Sequence, residues 1–175
     1  MAEGHIPELI SREQIEQKIT ELAKDIYAEY QADDVIILTV LEGAQTFAKE
    51  LFTELKQYGM AVIPDAIKVQ SYSGTHSSGA MRLVQDLSRD VKDQDVLIVE
   101  DIIDTGSTIS FVKEHLERKG AASVKVCSLL DKPEGREQEI EIHFLGFTVP
   151  NKFVVGYGLD HNGQHRELPY VGYIN

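Results

Sequence analysis

The feature that most constrains the fold of this chain is an apolar run that leads straight into acidic residues. Residues 96–99 are all apolar, and Glu100 and Asp101 follow them directly. Such a run is typical of a strand that is buried on both faces of a parallel α/β sheet. Because ligands of such sheets bind beyond the carboxyl ends of the strands, the two acidic residues indicate a site at that edge.

A short turn follows the acidic pair. It contains Asp104, Thr105, Gly106, Ser107 and Thr108, and we expect a helix to begin at about Ser107. The first N–H groups of a helix are unpaired and favour anions, and glycine lets the backbone come close to a ligand. These residues are therefore a candidate phosphate-binding turn. The alternative is that Ser107 or Thr108 only caps the helix.

Strand-like and helical segments alternate along the rest of the chain. The predicted helices cover about 11–31, 45–58 and 107–119, and the predicted strands lie within 35–40, 62–87, 95–101, 124–130, 140–147 and 153–157. This alternation predicts an α/β fold, with a mostly parallel sheet flanked by helices and one inserted hairpin. We expect residues 1–175 to form one domain, with a core at about 33–135 and a small C-terminal hood at about 136–175.

Composition argues against several classes of protein. The 175 residues include 17 basic and 29 acidic ones, so the net charge of −12 disfavours a surface that binds nucleic acid. There is no apolar run of about 18 residues and no secretory signal pattern, so we expect no membrane partner. Cys127 is the only cysteine, and we interpret it as a core residue of a cytoplasmic protein.

Residues 99–106 resemble the signature of type I phosphoribosyltransferases that binds 5-phosphoribosyl 1-pyrophosphate (PRPP). The form of the signature is most similar to the hypoxanthine-guanine branch, and the resemblance covers about residues 33–173. It implies that Glu100 and Asp101 hold the ribose hydroxyls near a bound Mg²⁺, and that Asp104 and the turn at 105–108 contact PRPP. It also implies that Asp104 exchanges a proton with N7 of the purine, although Asp104 could only cap the turn and orient the base.

The resemblance extends to the purine end of the site. It implies that Lys132 recognises the 6-oxo group of hypoxanthine or guanine, and that Phe153 stacks on the purine. Val154 would supply backbone groups toward the base edge. Asp160, grouped with the purine-binding residues, would be a second metal-site residue acting through Mg²⁺-bound water near the pyrophosphate, and Arg166 would contact pyrophosphate. Without the resemblance, Lys132 would be a surface lysine, Phe153 a core residue and Asp160 a turn residue.

Two further segments match mobile elements of the family. Glu42 and Gly43 occupy the place of the pyrophosphate-binding loop, where many members have a basic residue before the glycine and a cis peptide bond between the two. A carboxylate cannot pair with pyrophosphate, so we expect binding there through backbone N–H groups. Ser71 and Tyr72 resemble the start of a flexible loop, spanning 71–79, that closes over the reaction; an ordinary hairpin loop is the alternative.

These features together predict a Mg²⁺-dependent purine salvage enzyme. It would convert hypoxanthine or guanine and PRPP into IMP or GMP and pyrophosphate, as a homodimer or homotetramer. Lys132 disfavours adenine, and the stretch at 153–160 disfavours pyrimidines such as uracil and orotate, whereas xanthine remains open. A second class is a PRPP-sensing nucleic-acid regulator, which the net charge disfavours. A P-loop enzyme is set aside because its glycine-lysine motif is missing.

Overall fold

The computed structural model describes residues 4–71 and 80–175. Within these ranges it has three α-helices and nine strands. The helices are α1 (Arg12–Tyr30), α2 (Gln45–Gln57) and α3 (Ser107–Arg118). The strands are β1 (Glu8–Ile10), β2 (Val35–Val40), β3 (Val62–Ser71), β4 (Met81–Gln85), β5 (Asp95–Ile103), β6 (Ser123–Asp131), β7 (Phe144–Thr148), β8 (Phe153–Val155) and β9 (Val171–Ile174).

The main sheet has six strands in the order β4-β3-β2-β5-β6-β7. Four pairings, from β3 to β7, are parallel, and only β4 runs antiparallel, as the second strand of the inserted hairpin. The predicted mostly parallel α/β sheet is therefore confirmed. From β2 the next strands along the chain are added on one side of the sheet, and from β5 they are added on the other side. The point between β2 and β5 is therefore a topological switch point, where open α/β sheets bind ligands.

Helices cover both faces of this sheet. Ile37 of β2 and Val99 of β5 face a core that includes buried residues of α1 and α2, whereas Leu38 and Ile98 face a second core built with α3. All six residues of β2 are buried, as expected for a strand covered on both sides. Each apolar strand is thus fixed from above and below, which gives the site at its carboxyl end a rigid base.

Local signals in the sequence set the ends of the helices. At the start of α1, the Ser11 hydroxyl accepts the Gln14 N–H, and the Gln14 side chain accepts the Ser11 N–H, which forms the predicted capping box. Gly120, just beyond α3, has a φ of 87° that suits glycine. Within the described part of the chain, no helix is long and apolar enough to span a membrane.

A second, three-stranded sheet forms the hood, in the order β1-β9-β8. Its first strand comes from the N-terminus, where we had expected no strand. Conversely, β7 pairs in parallel with β6 and belongs to the main sheet, although we had assigned its residues to the hood. Both differences arise because a three-residue strand such as β1 has no usable periodicity, and pairing between distant segments is not visible in a local pattern.

Candidate active site

The acidic pair lies within β5. We had expected the pair to end the strand, and that expectation was wrong. β5 continues to Ile103, whereas the last residue pair between β2 and β5 is Thr39 with Val99. Glu100 and Asp101 therefore lie just beyond the last residue pair between β2 and β5, beside the loop that follows β2. This offset between two strands opens the crevice at the switch point.

Burial controls the charge of this pair. Glu100 is 6% exposed, and burial together with repulsion from Asp101 raises its pKa well above the usual value. Burial also raises the pKa of Asp101, although hydrogen bonds from backbone N–H groups and the charge of Arg166 act in the opposite direction. The pair is therefore costly to ionise without a nearby cation or hydroxyl donors.

The loop after β2 lies directly against this pair. A Cβ atom built on Gly43 would overlap the Asp101 Oδ2 atom, and one built on Gly158 would overlap the Gly43 carbonyl. Only glycine fits at either position, so three chain segments meet here with their backbones in contact. The single non-proline cis peptide among the described residues joins Leu41 to Glu42. The resemblance had implied the bond on the other side of Glu42.

The predicted phosphate turn joins β5 to α3. Gly106 lies at the N-cap of α3 with a φ of 90°, a conformation that favours glycine. The Thr105 hydroxyl accepts the Ser107 N–H at 3.2 Å and donates to the Ser107 hydroxyl at the same distance. Among the described residues, no helix N–H donates to the Ser107 or Thr108 hydroxyl, and the Ser107 N–H is bound by Thr105 instead, so the alternative in which Ser107 or Thr108 only caps the helix is not what the structure shows.

Asp104 and Lys132 form an ion pair at the ends of β5 and β6. The Lys132 Nζ atom lies 3.1 Å from Asp104 Oδ2 and donates to the Lys152 carbonyl at 3.3 Å. An ammonium group has three donors, so these contacts leave one donor for a ligand. The Lys132 side chain is 11% exposed, whereas that of Asp104 is 47% exposed. Lys132 is thus a nearly buried, oriented group and not a surface lysine.

Phe153 begins β8 next to Lys152, which contacts Lys132. Its side chain is among the exposed large hydrophobic groups, at 50%, and it packs against the His161 ring edge-on at 4.9 Å. The following residue, Val154, is buried. Phe153 therefore presents an open ring one residue after the carbonyl that Lys132 contacts, and it is not a core residue.

Charged groups connect the loop after β2 to the hood. Arg166 lies 3.1 Å from Asp160 and 3.4 Å from Glu42, and Glu42 also pairs with Lys68 at 3.0 Å. The Gly163 N–H and then Arg166 lower the pKa of Asp160. Contacts with Lys68 and Arg166 lower the pKa of Glu42. Both carboxyl groups are therefore ionised at neutral pH.

The three residues assigned to a metal site are not brought together as one cluster. Among the described residues, no three side chains of the types His, Cys, Asp and Glu are placed to hold a metal ion. Glu100 and Asp101 stay adjacent, while Asp160 is paired with Arg166.

The hairpin of β3 and β4 lies opposite the phosphate turn. Gln70, Ser71 and Met81 line one cavity together with Thr105 and Ser107. Tyr72 and the rest of the predicted flexible loop lie outside the described residues.

Sequence reasoning missed several residues of the site. Gly135 packs so closely that an added Cβ would overlap Asp104 Oδ1, and the Arg136 guanidinium donates to the Asp104 carbonyl at 3.1 Å. Arg136 also pairs with Asp131. Lys68 and His161 were missed as well. A glycine two residues after a Lys-Pro pair at a strand end is the only local signal that could have indicated Gly135.

The sequence of this chain was compared with models of known protein families. The model of the phosphoribosyl transferase domain matches residues 7–162, which is most of the chain. The chain therefore belongs to the phosphoribosyl transferase family.

Individual relatives define the branch of that family. A hypoxanthine-guanine phosphoribosyltransferase of Lactococcus lactis is 46% identical over 95% of this chain and 89% of its own length. The crystal structure of a hypoxanthine-guanine phosphoribosyltransferase from Bacillus anthracis has a TM-score of 0.91 and 35% identity, covering 98% of this chain and 100% of that chain. The resemblance to the hypoxanthine-guanine branch is thus confirmed.

The length of the relatives varies. The bifunctional protein TilS/HprT of Listeria monocytogenes is 42% identical over 95% of this chain, yet the chain spans only 25% of that protein.

Proposed function

We propose that this chain transfers the phosphoribosyl group of PRPP to hypoxanthine or guanine, which gives IMP or GMP and pyrophosphate. The observation that carries the proposal is the Asp104–Lys132 ion pair, 3.1 Å long, next to the turn at 105–108. It places a proton acceptor and a hydrogen-bond donor side by side at the edge of the sheet where a phosphate can also bind.

Lys132 accounts for the choice of base. Its free donor suits a 6-oxo group, whereas the 6-amino group of adenine offers that donor no comparable acceptor. The exposed ring of Phe153 offers a stacking surface, and Val154 supplies backbone groups to the base edge. Because the edge at position 2 would meet mostly backbone, xanthine remains a candidate substrate.

Asp104 would accept the N7 proton as the new bond forms to C1′ of the ribose. It is half exposed toward the site, while its backbone is held by Arg136. Lys132 Nζ lies 3.1 Å from Asp104 Oδ2 and so fixes the orientation of the carboxyl group. General base catalysis of this kind contributes about 10²–10⁴-fold to a rate.

Glu100 and Asp101 fit ribose hydroxyls and a Mg²⁺ ion. The donor set is right, because two adjacent carboxylates with raised pKa values, Glu100 buried and Asp101 partly buried, need a compensating positive charge. Mg²⁺ is commonly held by one or two carboxylates together with substrate phosphates, so a complete protein cage is not required. When bound, Mg²⁺ would neutralise charge on the leaving pyrophosphate. Asp160 would act through water, because Arg166 already contacts its carboxylate.

Several expectations for the whole protein stay predictions. These are a cytoplasmic location, a homodimer or homotetramer, and the lack of nucleic-acid and membrane partners.

A base-competition assay tests the proposal. Protein, PRPP and Mg²⁺ are mixed with equal amounts of hypoxanthine, guanine, xanthine and adenine, and the nucleotides formed are identified. IMP and GMP with little AMP support the proposal. If no base yields a nucleotide although PRPP binds, the proposal is wrong and a PRPP-sensing regulator is favoured, which a salt-dependent DNA-binding assay would then detect.

A further inference from the structure

Glu42 links two cations that come from distant parts of the chain. Its Oε1 atom lies 3.0 Å from Lys68 Nζ, and its Oε2 atom lies 3.4 Å from the Arg166 guanidinium. Lys68 belongs to β3, and Arg166 lies in the segment between β8 and β9. The carboxylate thus stands where two positive charges converge beside the crevice.

This cluster of Glu42, Lys68 and Arg166, here called the cation clamp, adjoins the acid pair. Gly43, the residue after Glu42, touches the Asp101 carboxylate, and the charge of Arg166 acts on Asp101. The Arg166 carbonyl accepts the Gly158 N–H, and Gly158 in turn packs on Gly43. The clamp therefore borders the position assigned above to the ribose.

The contacts of Glu42 are of a kind that a ligand can replace. Its side chain is 49% exposed, and those of Lys68 and Arg166 are 29% and 42% exposed. Exposed ion pairs contribute little to stability, so exchanging one anion for another here has a low cost. In addition, the buried Arg166 Nε atom has no hydrogen-bond partner among the described residues. The guanidinium thus has a donor to spare.

We propose that Glu42 occupies Lys68 and Arg166 in the free protein, and that the pyrophosphate group expected beside Arg166 displaces the Glu42 carboxylate from both cations. This inference rests on the proposed function and deepens it. Arginine binds phosphate oxygens through its planar fork, and lysine binds them as a point charge. Pyrophosphate carries more charge and more oxygens than one carboxylate, so it outcompetes Glu42 for both cations.

The exchange explains how a glutamate is accommodated in a pyrophosphate-binding loop. The displaced carboxylate stays attached to the residue before Gly43. It therefore competes with pyrophosphate for Lys68 and Arg166 and favours release of pyrophosphate. The effect is confined to ligands that carry the pyrophosphate group. The affinity for PRPP and pyrophosphate is therefore lowered by Glu42, whereas that for hypoxanthine is unaffected.

Calorimetric titration with inorganic pyrophosphate tests this, with and without Mg²⁺. We expect Glu42→Gln to bind pyrophosphate about three- to tenfold more tightly than the wild type, since the amide keeps the size of the side chain and removes its charge. Lys68→Gln should bind it more weakly. The matched control is Glu29→Gln, which removes one negative charge from a glutamate of α1 that pairs with Lys125. It should leave the affinity unchanged.

Equal or weaker binding by Glu42→Gln would overturn the inference, as would tighter binding by Glu29→Gln to the same extent. Hypoxanthine binding, measured in parallel, reports whether each variant remains folded. The turnover assay on the wild type is independent of these titrations. Tighter pyrophosphate binding by Glu42→Gln without any nucleotide formation would uphold the exchange and reject the enzyme.

Discussion

The two ends of the proposed site, the purine end and the pyrophosphate end, hold their charges in different ways. At the purine end, one nearly buried ammonium, that of Lys132, is fixed by Asp104 and by a backbone carbonyl. At the pyrophosphate end, Glu42 is shared between two cations, and all the side chains are partly exposed. A buried charge that loses its partner is strongly destabilising, whereas an exposed pair is worth about 1 kcal/mol or less. The purine end is therefore preorganised, and the pyrophosphate end can adjust to its ligand.

The largest effect is expected at the purine end, from Asp104→Asn. The amide cannot accept the N7 proton, so kcat should fall by about 10²–10⁴-fold. Steady-state kinetics with hypoxanthine measure this, and Asp34→Asn, at an exposed position before β2, is the control. A loss of less than tenfold would mean that Asp104 only orients the base.

Gly43→Ala tests how far adjustment extends at the other end. The added methyl group would overlap the Asp101 carboxylate, so the loop after β2 must shift. A misplacement of about 1 Å can reduce a rate by about 10²-fold, and we expect a loss of that order in kcat/KM for PRPP. Gly4→Ala, where a methyl group meets no other atom, is the matched control. Unchanged kinetics would show that this loop is as adaptable as the cation clamp.

Lys132→Met should reduce kcat/KM for hypoxanthine by about 10- to 100-fold, because a hydrogen bond from a charged donor contributes about 1.5–3 kcal/mol. The discrimination against adenine should decrease at the same time. The same assay with Lys24→Met, at an exposed position on α1, should give wild-type values. If discrimination persists, another group recognises the 6-oxo position.

The smallest effect is expected on the stability of the fold, from Glu100, which lies between the two ends of the site. The pKa of Glu100 in the folded chain is raised above 4.5, so the folded state binds its proton more tightly than the unfolded state. Stability therefore falls as the pH rises from 4.5 toward the raised pKa. Glu100→Gln removes this penalty, and its melting temperature at pH 8 should exceed that of the wild type by about 2–4 °C, for about 1 kcal/mol.

Thermal unfolding followed by circular dichroism at several pH values checks this. The difference should shrink as the pH approaches 4.5. The exposed Glu117→Gln should show no such trend. A difference that stays constant with pH would mean that titration of Glu100 is not its cause.

Sequence alone predicted the parts of the molecule that local physics determines. The buried strand at 35–40, the capping box of Ser11 and the turn at 105–108 each depend on neighbouring residues, and each matches the structure. Contacts between distant segments were out of reach. The sequence carries no sign that Glu42 would meet Lys68 and Arg166, and for Gly135 it offers only the glycine after a Lys-Pro pair, which does not identify Asp104 as its neighbour. Such pairings are set by the register of the sheet and not by local pattern.

The pairing of β1 with β9 affects how the chain can fold during its synthesis on the ribosome. β1 is made before every strand of the main sheet, whereas its partner, Val171–Ile174, is made after all of them. The main sheet, from β2 to β7, can assemble while synthesis continues, since its strands lie between these two. β8 acquires its neighbour only when β9 has been made, so the exposed Phe153 ring, proposed to stack on the base, is positioned after the main sheet. The proposed base-binding surface is thus completed later than the sheet that carries the acid pair.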